Sequence, residues 1–238
     1  MQDVNRGYAM RKLVLWGHHI QDYREMFDLS EQDMNGHLLE YGCCASAVNA
    51  ELHEKQIEMV SCDPMFILDK ATLFTKVSLI FEEMVTHLRE ERDQFDFSHC
   101  GGIDAFIESR RQGMAQFFSD YPNGLAQKRY LPVTSHTLPF EHFSFDLALS
   151  SHYLFADLEE QDAAFHIDAI RELARVAKEV RIFPLIDRFG QTSSLLGPVL
   201  LGLQQEGFGA EVREVTYSLQ PKGNAMLRVW ALQCNVNV

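Results

Sequence analysis

The order of apolar and helical patterns along the chain predicts an α/β protein with a doubly wound, mostly parallel sheet of seven strands that ends in an antiparallel hairpin. Three observations carry the prediction. Residues 37–64 read as a short apolar run, a small-residue turn, a helical stretch and a second apolar run stopping at Asp63, the order of a βαβ nucleotide-binding unit. From residue 130 to residue 186, strand-like and helix-period stretches alternate. Residues 211–219 and 225–232 alternate polar and apolar side chains around Gln220-Pro221-Lys222-Gly223-Asn224, as an antiparallel edge pair does.

A chain of 238 residues, 46% of them hydrophobic, suffices for one α/β core, so a single domain over 1–238 is expected. The formal net charge of −13 repels polyanions. Neither nucleic acid nor a membrane is therefore expected as a partner; a small-molecule substrate is, and a homodimer stays open. Arg110, Arg111, Lys128 and Arg129 come nearest to a basic patch and read as solvated charges. The five cysteines are odd in number, with Cys43 and Cys44 adjacent, and no spacing suggests a metal site, so reduced thiols in a cytoplasmic protein are expected. A polar N-terminus without a signal pattern points the same way, as does the lack of an apolar run near the roughly 18 residues that a membrane span needs.

Residues 10–16 and 22–29 carry helix-period patterns within an N-terminal helical segment, 8–30, broken at Gly17, His18 and His19. Met26 and Phe27 are expected to pack on the sheet, while Tyr23 and Arg24 are candidates for contact with a ligand above the βαβ unit. His18 and His19 read as exposed loop residues, since two neighbouring histidines lacking a third partner make a poor metal site.

In a βαβ unit the turn after the first strand must let a ligand reach the main chain, and Gly42 is the glycine there. A helix starting near Ala45 or Ser46 would offer its unpaired N–H groups to a carboxylate or phosphate. Asp63, at the carboxyl end of the next strand, can accept hydrogen bonds from both hydroxyls of a ribose, so an adenosine-type ligand would bridge the two. The dinucleotide pattern Gly-x-Gly-x-x-Gly is absent. Glu40-x-Gly42-x-Cys44-x-Ser46 instead resembles the first motif of class I S-adenosylmethionine-dependent methyltransferases, an acid followed by Gly-x-Gly-x-Gly. Cys44 and Ser46 stand here at the second and third glycines. The resemblance implies a Rossmann-like fold, S-adenosylmethionine as cofactor and S-adenosylhomocysteine as its product.

After Asp63-Pro64, Met65 stands where an adenine ring can pack. Residues 67–92 and 103–119 read as two long amphipathic helices, the second stopping at Tyr121-Pro122-Asn123-Gly124, and the whole segment 67–119 is a candidate substrate cover or interface. Residues 130–133 form a short strand. Leu138-Pro139-Phe140, followed by Phe145-Asp146-Leu147-Ala148-Leu149-Ser150, is the second resemblance to the methyltransferases. It implies that Thr134 and Ser135 meet the adenine edge, without the aspartate many members carry there, and that Ser150, Ser151 and His152 lie at the reacting end of the strand.

Helical spacing over 163–179 leads into an apolar strand at 180–186, and Arg171-Glu172-Leu173-Ala174-Arg175-Val176 resembles the family's helix before the fifth strand. Ser193 or Ser194 would cap a helix over 193–206, ended by Gly207-Phe208-Gly209. The terminal hairpin fits the same family, in which an antiparallel seventh strand is inserted between the fifth and sixth; a nicotinamide-dependent Rossmann enzyme continues with parallel crossovers.

The leading reading is methyl transfer to a small-molecule acceptor whose identity the sequence does not disclose. The resemblance implies that Glu40 orients the main chain or the methionyl amino group, that Gly42, Cys43 and Cys44 pass beneath it, and that Asp63 holds the ribose, with Pro64 next to it among the cofactor-binding residues. Met65, Thr134 and Ser135 would flank the adenine, with Ser150 and Ser151 nearer the methyl group. His152 is the candidate catalytic base, since an in-line displacement gains mostly from positioning and needs a base when the acceptor is not already nucleophilic; the alternative for this residue is a histidine that only caps the next helix or packs under Tyr153 and Phe155. The alternative is a catalytically inactive methyltransferase-like binding or interaction protein, motivated by the glycines replaced at Cys44 and Ser46.

Overall fold

The structure is a computed structural model, and it describes residues 16–133, 137–155, 161–187 and 190–232. The chain runs α1 (Ile20–Phe27), α2 (Glu31–Met34), β1 (Leu38–Tyr41), α3 (Val48–Glu54), β2 (Met59–Asp63), a 3-10 turn (Pro64–Ile67), α4 (Lys70–Glu90) and α5 (Ile103–Ala126). It continues through β3 (Tyr130–Pro132), β4 (Phe145–Ser151), α6 (Ala163–Val176), β5 (Ala177–Phe183), α7 (Leu196–Gln205), β6 (Phe208–Glu214) and β7 (Ala225–Ala231). The helix expected at 10–16 falls almost wholly outside the described residues.

The seven strands form one sheet in the order β3-β2-β1-β4-β5-β7-β6. β1 pairs in parallel with β2 on one side and with β4 on the other, Glu40 standing opposite both Ser61 and Leu149. The winding reverses between β1 and β4, which opens a crevice at their carboxyl ends, the position where open α/β sheets bind ligands. β7 is antiparallel to both β5 and β6. Alternation along the strands sends Leu38, Met59, Leu147, Leu149 and Phe183 to a core shared with α1, α3, α4 and α5. Leu39, Tyr41, Ala148, Val180 and Ile182 go to the opposite core under α6 and α7. The segment 67–119 thus packs into the first core through Leu73, Val77, Phe81, Phe106 and Phe117.

Several boundaries depart from the sequence reading, each for a local reason. α5 continues through Pro122 to Ala126 instead of stopping at Tyr121. An interior proline forfeits a helical hydrogen bond. Here Tyr121 is fully buried among the rings of Phe66, Phe117 and Tyr130, and Gly124 lies flat on Tyr130, so aromatic packing offsets that loss. α3 begins at Val48, two or three residues later than expected, because Cys44 turns left-handed and the chain needs residues 45–47 to recover helical geometry. β5 starts at Ala177, where α6 ends, and its Glu179 reaches across to Arg228 of β7 at 2.8 Å, a cross-strand ion pair that extends the strand backward. α7 starts at Leu196, after a turn in which Ser193 Oγ accepts from the Leu195 N–H. β6 begins at Phe208, directly after Gly207 at φ +83° ends the helix.

Arg110 is also placed otherwise than expected: it is buried and grips Asp22 with two bonds of 2.6 Å, so it is no solvated charge. Arg129 is likewise tied to Asp120, whereas Arg111 is exposed and pairs with Glu82 and Glu108. The two histidines expected on the surface separate in fate. His18 is buried, and His19 is half-buried with its Nδ1 2.6 Å from Glu51.

Candidate functional site

The crevice between β1 and β4 is built from the turn after β1. Gly42 sits at φ +77° and its N–H donates to the Cys62 carbonyl at 2.8 Å, so the turn closes against β2. Cys44 follows at φ +43°, a region that disfavours a residue with a Cβ by about 1–2 kcal/mol. Its side chain is buried in the first core. What holds this conformation is Asp63: Oδ2 accepts from the Cys44 N–H and Oδ1 from the Met65 N–H, both at 2.7 Å. Asp63 is fully buried, and that burial raises its pKa to about 7 against the opposing pull of the two N–H groups. The acid at the end of β2 therefore staples two loops together across the crevice floor. Pro64 starts the 3-10 turn, and Met65 is buried beside Asp63.

Glu40 lies one layer deeper. The Tyr23 hydroxyl donates to Oε1 at 2.5 Å and the Ser61 hydroxyl to Oε2 at 2.6 Å, while Asn49 donates to Ser61 Oγ at 2.9 Å. Burial, with the Glu40 charge beside it, pushes the Tyr23 phenol well above its ordinary range, so it stays a donor. Glu40, Tyr23 and Ser61 thus form a closed polar network under the turn. Burial and the same carboxylate push the Cys43 thiol up as well. Arg24 turns away from this group and pairs with Glu31 at 2.6 Å on the outer side of α1. The structure therefore does not bring Arg24 to the crevice, because on an eight-residue helix whose buried side carries Tyr23, Met26 and Phe27 it falls on the solvent stripe.

The residues before α1 run as a strap over the turn: the Gly17 N–H donates to the Ala45 carbonyl at 3.0 Å and the Ala47 N–H to the His18 carbonyl at 2.9 Å. The strap is clamped from outside by Arg110, and Gly17 and Gly113 of α5 touch so closely that a Cβ on either would overlap the other helix or strap. His18 is buried and stacks on His152, just past the end of β4, at 4.9 Å. Its Nε2 is buried and has no hydrogen-bond partner among the described residues. Burial, Arg110 and His152 hold its pKa well below the ordinary imidazole value, so it is neutral.

At the end of β4, Ser151 Oγ lies 2.7 Å from His152 Nδ1 and 3.7 Å from Met26 Sδ, whereas the buried Ser150 Oγ has no hydrogen-bond partner among the described residues. Tyr153 then folds over the turn: a Cβ added at Gly42 would stand 2.6 Å from its Cδ1. Thr134 and Ser135 lie outside the described residues. The Val133 N–H is directed at the Asp63 carbonyl at 3.4 Å, so residue 133 lies beside the end of β2. The sequence reading put His18 in an exposed loop and gave no role to Tyr153 or to Gln161, which bonds to the Tyr153 hydroxyl and is buried with an unpartnered Oε1. For Tyr153 a signal existed: it follows the strand end that the Leu-Pro-Phe resemblance had already marked. His18 and Gln161 have no local signature.

A separate cleft of about 580 Å³ opens at the other end of the sheet, among His37, His53, Glu58, Lys128 and Arg129. It lies at the amino ends of β1 and β2.

No known protein-family pattern matches the chain. An uncharacterised protein of Methanocaldococcus jannaschii, MJ0045, is 26% identical over 219 residues, 92% of this chain and 96% of that protein. Among solved structures, an S-adenosylmethionine-dependent methyltransferase of Aquifex aeolicus aligns at a TM-score of 0.42 and 16% identity, covering 88% of this chain and 92% of the other. The N-methyltransferase NodS of Bradyrhizobium japonicum, in complex with S-adenosylhomocysteine, aligns at 0.45 and 14% identity, with 90% and 86% covered. The magnesium protoporphyrin IX methyltransferase of Synechocystis, with bound S-adenosylmethionine, gives 0.44 and 11%, with 83% and 70% covered. The wound sheet with its crevice between β1 and β4, and the antiparallel β7 lodged between β5 and β6, give this chain the class I methyltransferase fold.

Proposed function

We propose that the chain is an S-adenosylmethionine-dependent methyltransferase acting on a small-molecule acceptor. The observation that carries the proposal is the left-handed turn at Gly42 and Cys44, fastened by Asp63 at the carboxyl ends of adjacent parallel strands, where a main-chain loop and one acid can hold an adenosyl group. The donor and acceptor set suits that group. Asp63 uses two of its roughly four lone-pair sites on N–H groups, leaving others for ribose hydroxyls. The buried, unpartnered atoms Ser150 Oγ, His18 Nε2 and Gln161 Oε1 are polar groups with an unmet demand for a hydrogen bond.

When bound, S-adenosylmethionine would supply a methyl group activated by a sulfonium. Glu40, Gly42, Cys43 and Cys44 would support the methionyl part, Tyr23 fixing Glu40 from below. Met65, with Pro64, and Thr134 and Ser135 would flank the adenine. Ser150 and Ser151 would border the reacting end, and His152, oriented by Ser151, would take the acceptor's proton.

Calorimetric titration with S-adenosylhomocysteine tests this. Binding to the natural chain is expected, weakened by about 1–3 kcal/mol in Asp63→Asn, the usual loss for hydrogen bonds to a charged group. Equal affinity in the variant would remove Asp63 from the site. A second reading, a catalytically inactive binding or interaction protein of the same fold, is favoured by one specific observation: Tyr153 and Asp63 already occupy the inner faces of the turn. Failure to bind at millimolar ligand would select it.

A further inference from the structure

We propose that Tyr153 occludes the adenosyl site from within: its ring fills the space over Gly42 that the ligand must enter, and binding turns the ring out toward solvent. This rests on the S-adenosylmethionine reading and adds a regulation of that site. Gly42 has no side chain, and in a ligand-binding turn that bareness admits the ligand. Here Tyr153 uses it instead: the ring atoms Cγ and Cδ1 of Tyr153 both crowd the place of a Cβ at Gly42, Cδ1 at 2.6 Å, far inside contact distance.

The ring is braced and also has somewhere to go. It meets Tyr41 edge to face at 5.4 Å and leans on Phe165 at 6.5 Å. Yet Tyr153 is only half-buried, so one side of it faces solvent. The neighbouring main chain is fixed on both sides: the His152 N–H donates to the Phe183 carbonyl at 2.7 Å, and the Phe155 N–H to His166 Nε2 at 2.8 Å. His152 and Phe155 are both left-handed, at φ +56° and +60°, so the two ends of this short segment hold conformations that residues with a Cβ avoid. With both ends pinned, the part that moves is the side chain, by rotation about χ1, which breaks the hydrogen bonds of its hydroxyl with Gln161 and Tyr41. The Asp63 carboxylate adds to the effect of burial in raising the pKa of the Tyr153 phenol.

A ligand that binds only the minority open form shows an affinity reduced by that form's population. The test is titration of S-adenosylhomocysteine into the natural chain, Tyr153→Ala and Tyr153→Phe. Tyr153→Ala should bind about tenfold or more tighter, because it removes the competitor. Tyr153→Phe, which keeps the ring but loses the hydroxyl's hydrogen bonds to Gln161 and Tyr41, should bind between the natural chain and Tyr153→Ala. If the natural chain binds while Tyr153→Ala binds equally or more weakly, the ring supports the ligand and the proposal falls. If no form binds, the S-adenosylmethionine reading itself falls and takes this one with it. Should Tyr153→Ala fail to fold, ring-labelled tyrosine decides by NMR in the natural chain. The Tyr153 resonances, assigned through Tyr153→Phe, should shift on saturation, and unmoved resonances overturn the proposal.

Discussion

Asp63 stands in surroundings where its charge is poorly solvated, and its two N–H bonds do not fully make up for the water it has lost. Its folded pKa near 7 exceeds the 3.8 of an exposed carboxyl. The folded chain therefore holds a proton that the unfolded chain releases, so this group's contribution to stability falls as pH rises from 3.8 toward 7 and levels off above. Urea denaturation of the natural chain and Asp63→Asn across that range should show a shallower pH slope in the variant; parallel slopes would mean that Asp63 is ionised throughout. His19 acts in the same direction. Glu51 raises its pKa from 6.5, so the stabilisation is complete below 6.5 and is lost as pH climbs through the raised folded value. Residue by residue, the sequence put Gly42 in the turn after β1 and Asp63 at the carboxyl end of β2, where the structure has them. It could not disclose that Asp63 answers to Cys44 and Met65, since hydrogen bonds between loops depend on coordinates, and the same carboxylate would suit a ribose equally well.

Among the elements, the contact of α5 with the strap before α1 sets two forces against each other. Gly113 lies in a helix interior, where alanine is ordinarily better by about 1 kcal/mol. A Cβ there would stand 2.7 Å from the Gly17 carbonyl carbon. Overpacking of this kind costs about 1–3 kcal/mol, so Gly113→Ala should lower the thermal midpoint, and a rise would show that the strap lifts off easily. Arg110 clamps the same joint. Arg110→Ala leaves the half-buried Asp22 with the His19 N–H alone to balance its charge, and a loss of about 3–5 kcal/mol in chemical denaturation is expected, less if Asp22→Asn is added. The helix itself was legible from its spacing, whereas the burial of Arg110 was not. Two adjacent arginines on an amphipathic helix look alike in sequence, and only the approach of α1 distinguishes Arg110, which meets Asp22, from Arg111, which faces solvent.

For the molecule as a whole, ligand binding and folding are linked, because a crevice assembled from β1, β2, β4 and the strap exists only in the folded chain. S-adenosylhomocysteine at one hundred times its dissociation constant should stabilise the chain by about 2.7 kcal/mol, visible as a concentration-dependent rise of the thermal midpoint. No rise at millimolar ligand would speak for the inactive reading. No helix among the described residues is long and apolar enough to cross a membrane. By itself the sequence determined the α/β class, the order of the strands along the chain, the βαβ unit and the terminal hairpin, because these follow from periodicity and turn chemistry, which are local. Only the tertiary structure decided that Tyr153 covers Gly42, that His18 is carried from the N-terminal strap onto His152, and that Glu40 is held by Tyr23 and Ser61. Those pairings join residues distant in sequence, and their free energy depends on which groups the wound sheet brings within contact, a quantity that no window of neighbouring residues contains.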